Sequence, residues 1–129
     1  MALTELDKAL EAATAQITSP GGPMAVGRAT IRGVDYPIFE NAPGNLRDLV
    51  AFFLPAHTDK EAIVYNEERR TFGEVHAEAV RIAAMLQHRF GIAKGDRVAI
   101  AMRNYPEWVA AFLGATMMGA VVVPMNAWW

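Results

Sequence analysis

The sequence contains no cysteine and a single serine, Ser19, and these two shortages exclude several classes of chemistry. Without thiols the chain can form neither a disulfide, nor a thiolate nucleophile, nor a cysteine-ligated zinc site. Ser19 lies in the loop-forming stretch SPGGP, which argues against a serine–histidine–aspartate site. Neither G-x-x-x-x-G-K-[ST] nor G-x-G-x-x-G occurs, so neither of these phosphate-binding loops is present in the sequence.

Charge and histidines are also sparse. Twelve basic and 14 acidic side chains give a net charge of −2, with no cluster of Lys and Arg, so nucleic acid is not an expected partner. Of the three histidines, His57 lies in a predicted loop, whereas His76 and His88 lie about 120° apart around one predicted helix. We therefore predict three solvated or locally bonded imidazoles and no metal site.

The first 40 residues predict a helix and a loose hairpin. Acidic residues within MALTELDKALEAATAQI are not typical of a signal peptide, so a cytoplasmic location is expected. Thr4 and Asp7 have the spacing of a capping box, and apolar residues at helical intervals predict a helix over Glu5–Gln16. Extended stretches on either side of Gly33 predict the hairpin, in which Pro37 restricts the second arm to a sheet edge.

The middle of the chain predicts a short helix and a second hairpin. Asn45 is the expected N-cap of this helix, which Pro55 would close. The stretches EAIVY and RRTF are expected to pair through a turn at Asn66-Glu67-Glu68.

A capping box at Thr71 and Glu74 predicts the start of a long amphipathic helix, and Gly91 is expected to end it in a left-handed conformation. The apolar stretch RVAIAM then predicts a strand covered on both faces. A helix over Tyr105–Met118, capped by Asn104, and a strand over AVVVP complete a strand–helix–strand unit that should be right-handed.

The predicted fold class is α/β, with an N-terminal helix and hairpins followed by a partial parallel sheet. We divide this single domain into a helix and linker (1–22), hairpins and a short helix (23–70), and an α/β unit (71–129). An alternative for residues 108–125, which are uncharged and flanked by tryptophans, is a membrane span. The change from helix to β-branched strand residues favours the soluble interpretation.

Four motifs in the last sixty residues resemble the N-terminal portion of adenylate-forming enzymes, the acyl-CoA synthetase and ligase family. The family's TYxEL-like element opens a helix, GDRVA leads into a strand, N-x-x-E begins the next helix, and K-x-G-A-V-x-V-P-x-N closes the unit. The corresponding segments here are 71–75, 95–99, 104–107 and 118–126. Residues 32–50 resemble, more weakly, the lead-in of bacterial fatty-acid–CoA ligases.

The resemblance implies a two-step reaction. A carboxylate attacks the α-phosphate of ATP to give an acyl-adenylate, and the thiol of CoA then displaces AMP. The family's phosphate loop, the acidic residues for ribose and magnesium, and the catalytic lysine all belong to later parts of the enzyme. We therefore assign no catalytic or metal residue and no cofactor to this chain, although a complete family enzyme would use ATP, Mg²⁺ and CoA.

The resemblance also implies one substrate-binding position. In CoA-using members the loop after the second strand borders the pantetheine entrance, and Asn126, Ala127 and Trp128 occupy this place here. The simpler interpretation is that Trp128 and Trp129 pack against the remainder of the enzyme. If this surface instead mediated self-association, the chain would be a non-catalytic interaction module, which is the alternative function.

Overall fold

A computed structural model describes residues 3–126. This part of the chain forms two compact units, with the boundary between Pro43 and Gly44. The boundary lies inside segment 23–70, which was predicted to form one part of the chain. The first hairpin is joined to the residues before it, because the Met24 backbone N–H donates to the Ile17 carbonyl at 3.0 Å.

The first unit contains helix α1 and a two-stranded antiparallel sheet. Helix α1 covers Glu5–Thr18, two residues beyond the predicted end, and begins with the predicted Thr4–Asp7 capping box. Strands β1 (Val26–Ile31) and β2 (Val34–Phe39) pair in antiparallel fashion. The two intervening residues both have positive φ, the backbone of a type I′ hairpin turn. Pro37 lies opposite Arg28 in this sheet, where each strand is an edge strand, as predicted.

The second unit begins with helix α2, Leu46–Phe53, whose Asn45 cap accepts from the Asp48 N–H at 3.0 Å. Pro55 was expected to close this helix. Helix α2 ends at Phe53, and Pro55 lies in the 3₁₀ turn that follows it directly, Leu54–Ala56. Proline fits the first turn of a helix because its missing N–H has no partner there.

Strands β3 (Glu61–Tyr65) and β4 (Glu68–Thr71) form the second hairpin. The turn is one residue shorter than predicted, because Glu68 pairs with Tyr65 as part of β4. Asn66 takes a positive φ of 52° in this turn, a conformation that asparagine tolerates better than most residues.

Helix α3 covers Phe72–Phe90 and has both predicted ends. The Thr71 hydroxyl accepts from the Glu74 N–H, and the Glu74 carboxylate accepts from the Thr71 N–H at 2.8 Å. Gly91 ends the helix with φ 66°, the left-handed conformation expected from the sequence.

Two parallel strands flank the last helix in the sequence. Strand β5 (Arg97–Ile100) leads to helix α4 (Pro106–Met117) and then to strand β6 (Val121–Pro124), which pairs in parallel with β5. The predicted β–α–β order is therefore confirmed, whereas the handedness of the crossover stays a prediction. Among residues 3–126 no helix is long and apolar enough to cross a membrane, and β6 interrupts the span considered for residues 108–125.

Two details of this unit differ from expectation. Asn104 is not the cap of α4: Tyr105 is the N-cap residue and Pro106 occupies the first helical position. Proline favours that position because its φ is already helical. The strand pair is also not covered on both faces, since Val121 is 50% exposed whereas Ile100 is buried.

The core of the second unit lies between α3 and α4. The fully buried side chains are small, namely Ala79 on α3 and Ala110 and Ala115 on α4. Small residues let the two helix backbones approach closely, so α4 is held against α3 on one side and the strand pair on the other.

Candidate functional site

The candidate site is a cleft at the carboxyl ends of β5 and β6. Ile100 and Pro124, the last residues of the two strands, are paired, and the Met125 N–H donates to the Ile100 carbonyl at 2.9 Å. The cleft has a volume of about 400 Å³ and is lined by Met102, Arg103, Asn104, Trp108, Pro124, Met125 and Asn126. In open α/β sheets, ligands bind outside the carboxyl ends of parallel strands.

One wall of the cleft is the loop between β5 and α4. The Tyr105 N–H donates to the Arg103 carbonyl at 2.7 Å, and the Trp108 N–H donates to the Tyr105 carbonyl at 3.0 Å. These two bonds make a tight connection into the helix. Trp108 also stacks on Phe112, with ring centroids 5.4 Å apart and planes 8° apart. This stacking contact within α4 therefore holds the indole of Trp108 in place where it lines the cleft.

Asn126, the one sequence-derived site residue within residues 3–126, lies at the opposite wall. Asn126 lines the cleft directly after β6, at the place that the resemblance implies for a residue near the acyl acceptor. Ala127 and Trp128, the other two predicted residues, lie outside the described residues, as does Trp129. Asn104, expected as a helix cap, lines the cleft instead.

The polar groups of the cleft are two amides and a guanidinium, from Asn104, Asn126 and Arg103. These groups can donate hydrogen bonds to carbonyl or phosphate oxygens, and the amides can also accept them. Carboxylates are not among the lining residues, and within residues 3–126 no group of three or more metal-ligating side chains could hold a metal ion. The residues present therefore do not fit a Mg²⁺ site.

A charged cluster next to this region is the feature that sequence reasoning missed. The guanidinium of Arg70, at the end of β4, donates to Glu68, to Glu78 on α3 at 2.5 Å and to Glu107 on α4 at 2.8 Å. The Arg70 side chain is 19% exposed. We name these four residues the Arg70 cluster.

The cluster shifts the protonation equilibria of its members. The pKa of Arg70 is raised above its ordinary value, first by the hydrogen bond to Glu68. A guanidinium is charged at any ordinary pH, so the shift adds to a charge that is already permanent. The pKa of Glu107 is lowered first by a hydrogen bond from its own backbone N–H and then by the hydrogen bond and charge of Arg70, against the opposing effect of burial. Glu107 therefore favours its charged form.

A second cavity, of about 430 Å³, lies between α2, the 3₁₀ turn, α3 and α4. Its lining is apolar apart from two imidazoles, with Leu49, Val50, Phe53, Leu54, His57, Phe72, Val75, His76 and Leu113 around it. The Nδ1 atom of His57 lies 3.0 Å from the carbonyl oxygen of Phe53. Because a carbonyl can only accept, Nδ1 is the donor. His57 is thus locally bonded, as predicted, and its ring meets Phe72 edge to face.

The family model for AMP-binding enzymes matches residues 53–129. The chain belongs to the AMP-binding enzyme family. The match includes all four motifs identified in the sequence and both walls of the cleft.

Individual relatives agree with this assignment. The chain is 38% identical over 68 residues to a long-chain-fatty-acid–CoA ligase of Bacillus subtilis, a match that covers 53% of this chain and 12% of the ligase. It is also 38% identical over 85 residues to a nonribosomal peptide synthetase of Claviceps purpurea, covering 66% of this chain and 4% of that protein. The chain thus spans only a small part of the length of these relatives.

A solved structure confirms the fold. The N-terminal subdomain of NpsA from Klebsiella oxytoca is similar with a TM-score of 0.61 and 29% identity, over 64% of this chain and 22% of that one. The α/β fold class and the correspondence to an N-terminal portion of the adenylate-forming fold are therefore confirmed.

Proposed function

We propose that this chain forms the N-terminal part of an ATP-dependent acyl-CoA ligase, which activates a fatty acid as its acyl-adenylate and transfers it to CoA. The observation that carries the proposal is the cleft at the carboxyl ends of β5 and β6, where family motifs supply both walls. The similarity to a long-chain-fatty-acid–CoA ligase supports the choice of substrate.

The proposed reaction has two steps. The carboxylate oxygen of the acid bonds to the α-phosphorus of ATP and pyrophosphate leaves. The CoA sulfur then bonds to the acyl carbon, AMP leaves with the electron pair of the broken bond, and the thiol proton is released. A complete family enzyme would use Mg²⁺, and the side chains of residues 3–126 do not fit a site for it.

The part proposed for this chain is recognition of the acyl acceptor. The pantetheine arm of CoA carries amide groups along an otherwise apolar chain. The amides of Asn104 and Asn126 can pair with such groups, while Met102, Met125 and Trp108 offer apolar walls. The cleft therefore suits this arm better than it suits a bare metal ion.

We expect the 129-residue protein to be inactive alone. The test incubates it with ATP, Mg²⁺, CoA and a panel of fatty acids and measures release of AMP, with the Bacillus subtilis ligase as positive control. The expected result is no AMP above the rate without protein. Formation of acyl-CoA by the chain alone would contradict the assignment of catalysis to other parts of the enzyme.

A non-catalytic, self-associating module is the second candidate function. It is favoured by apolar side chains that remain exposed in the second unit, such as Phe52 at 71% and Val121 at 50%. A lone pair of parallel strands also leaves unpaired backbone groups at its edges. Light scattering across a range of concentrations distinguishes the two candidates. Reversible dimerisation favours the module if the chain also shows no ligase activity, alone or as part of a chimeric ligase. A monomer at all concentrations argues against the module.

A further inference from the structure

Helix α4 begins differently from the other three helices. The N-cap side chains of α1, α2 and α3, namely Thr4, Asn45 and Thr71, each accept a hydrogen bond from a backbone N–H in the first turn. The N-cap of α4 is Tyr105, whose side chain makes no such bond. The first turn of α4 therefore lacks the hydrogen bond from an N-cap side chain that the other three helices have, although Pro106 occupies its first position.

A long-range interaction is present at that turn instead. Glu107, the second residue of α4, accepts from Arg70 Nη2 at 2.8 Å. Arg70 is 37 residues away in the sequence, at the end of β4, and its other nitrogens donate to Glu68 and Glu78. Because the guanidinium is planar and the N–H groups on its three nitrogens point in fixed directions, the partners on β4 and α3 fix the direction in which Nη2 points.

The anchored turn adjoins the cleft. Glu107 lies between Tyr105 and Trp108, the two residues whose backbone hydrogen bonds close the loop after β5. Trp108, in the first turn of α4, lines the cleft together with Asn104 from this loop. A shift of the first turn of α4 would consequently move one wall of the cleft relative to Asn126 on the other.

We infer that Arg70 is a positioning residue for this cleft: through Glu107 it holds the start of α4, and with it the loop 101–105, in place. The inference rests on the proposed function for its biological role, because it concerns the wall of the proposed acceptor site. Arg70 would act through Glu107 and would not itself touch substrate.

The test measures amide hydrogen exchange by NMR in the 129-residue protein and its variants. The Tyr105 amide reports on the loop and the Trp108 amide on the first turn of α4, and the Val121 amide, which donates to the Asp96 carbonyl at 2.7 Å, is the internal reference. Replacing Glu107 by alanine should accelerate exchange of the Tyr105 and Trp108 amides about two- to fivefold relative to Val121. Glu107→Gln should have a smaller effect, because its amide oxygen can still accept from Arg70.

The matched control is Glu67→Ala, which removes an exposed carboxylate in the turn between β3 and β4, outside the Arg70 cluster. It should leave the exchange of the Tyr105 and Trp108 amides relative to Val121 as in the wild type. Unchanged exchange of these amides in Glu107→Ala would overturn the inference, and so would an equal acceleration in Glu67→Ala. Neither measurement involves acyl transfer, so a failure here is distinct from a failure of the proposed function.

Discussion

A β-carbon placed on Gly114 of α4 would lie 2.6 Å from the carbonyl oxygen of Ala79 on α3. Atoms at that distance overlap, and the oxygen belongs to helix backbone, which cannot move like the end of a side chain. The contact of α4 with α3 therefore depends on the absence of a side chain at position 114. Since α4 carries one wall of the cleft, this contact also places the candidate site.

Gly114→Ala should therefore destabilise the protein, even though alanine is the better helix former. We expect a loss of about 1–3 kcal/mol in the free energy of unfolding, the range for overpacked cores. Urea unfolding followed by circular dichroism measures it. Gly44→Ala is the control, because its added methyl would meet nothing within 4 Å and should change stability by less than about 0.5 kcal/mol. Equal stability of the two variants would contradict the close packing.

The capping box at the start of α3 gives a second prediction. Thr71→Ala removes the hydroxyl that accepts from the Glu74 N–H and should lower the free energy of unfolding by about 0.5–2 kcal/mol. Thr71→Ser keeps the hydroxyl and should remain close to the wild type. If serine and alanine are equally destabilising in urea titrations, the methyl group and not the cap is what matters at this position.

Acid should weaken the attachment of α4. The pKa of Glu107 is lower in the folded chain than its ordinary value, so its contribution to stability is complete above that value and is lost as the pH falls through the folded pKa. Unfolding titrations between about pH 6 and 3 should show stability declining below the ordinary glutamate pKa of about 4.3. Glu107→Gln, which cannot titrate, should decline less steeply. An identical slope in both proteins would show that Glu107 is not involved.

The role proposed for Asn126 can be tested in a chimera in which residues 53–129 replace the matching segment of the Bacillus subtilis ligase. Asn126→Ala in this chimera should raise KM for CoA by about tenfold, the cost of a lost hydrogen bond, and leave pyrophosphate release in the first step unchanged. The control is Gln87→Ala, on an exposed position of α3. A drop in pyrophosphate release with unchanged KM for CoA would place Asn126 in the first step instead.

Features set by neighbouring residues could be predicted from the sequence, and features set by distant ones could not. The Thr71–Glu74 box and the Gly91 helix end each depend on a few adjacent residues, and both are confirmed. The turn at Arg32 and Gly33 likewise follows from local preferences, with glycine at a position of φ 82°. The order of strand, helix and strand was likewise predicted from the apolar runs on either side of α4, and it is confirmed.

The start of α4 shows the limit of local reasoning. Asn104 has the chemistry of a cap, but Pro106 supplied a competing signal for the first helical position, and the helix begins there. The Arg70 cluster had no local signal, since nothing near Arg70 points to a partner 37 residues later. For the candidate site, the sequence indicated Asn126, whereas Trp108 and Asn104 became part of it only through the packing of α4.

The most direct test of the central claim is the formation of acyl-CoA by the chimera, measured beside the 129-residue protein alone. If this chain is the N-terminal part of an acyl-CoA ligase, a folded chimera should convert a long-chain fatty acid, ATP and CoA into acyl-CoA and AMP, and the isolated chain should not. A chimera that folds with the stability of the parent ligase but forms neither acyl-adenylate nor acyl-CoA would contradict the account.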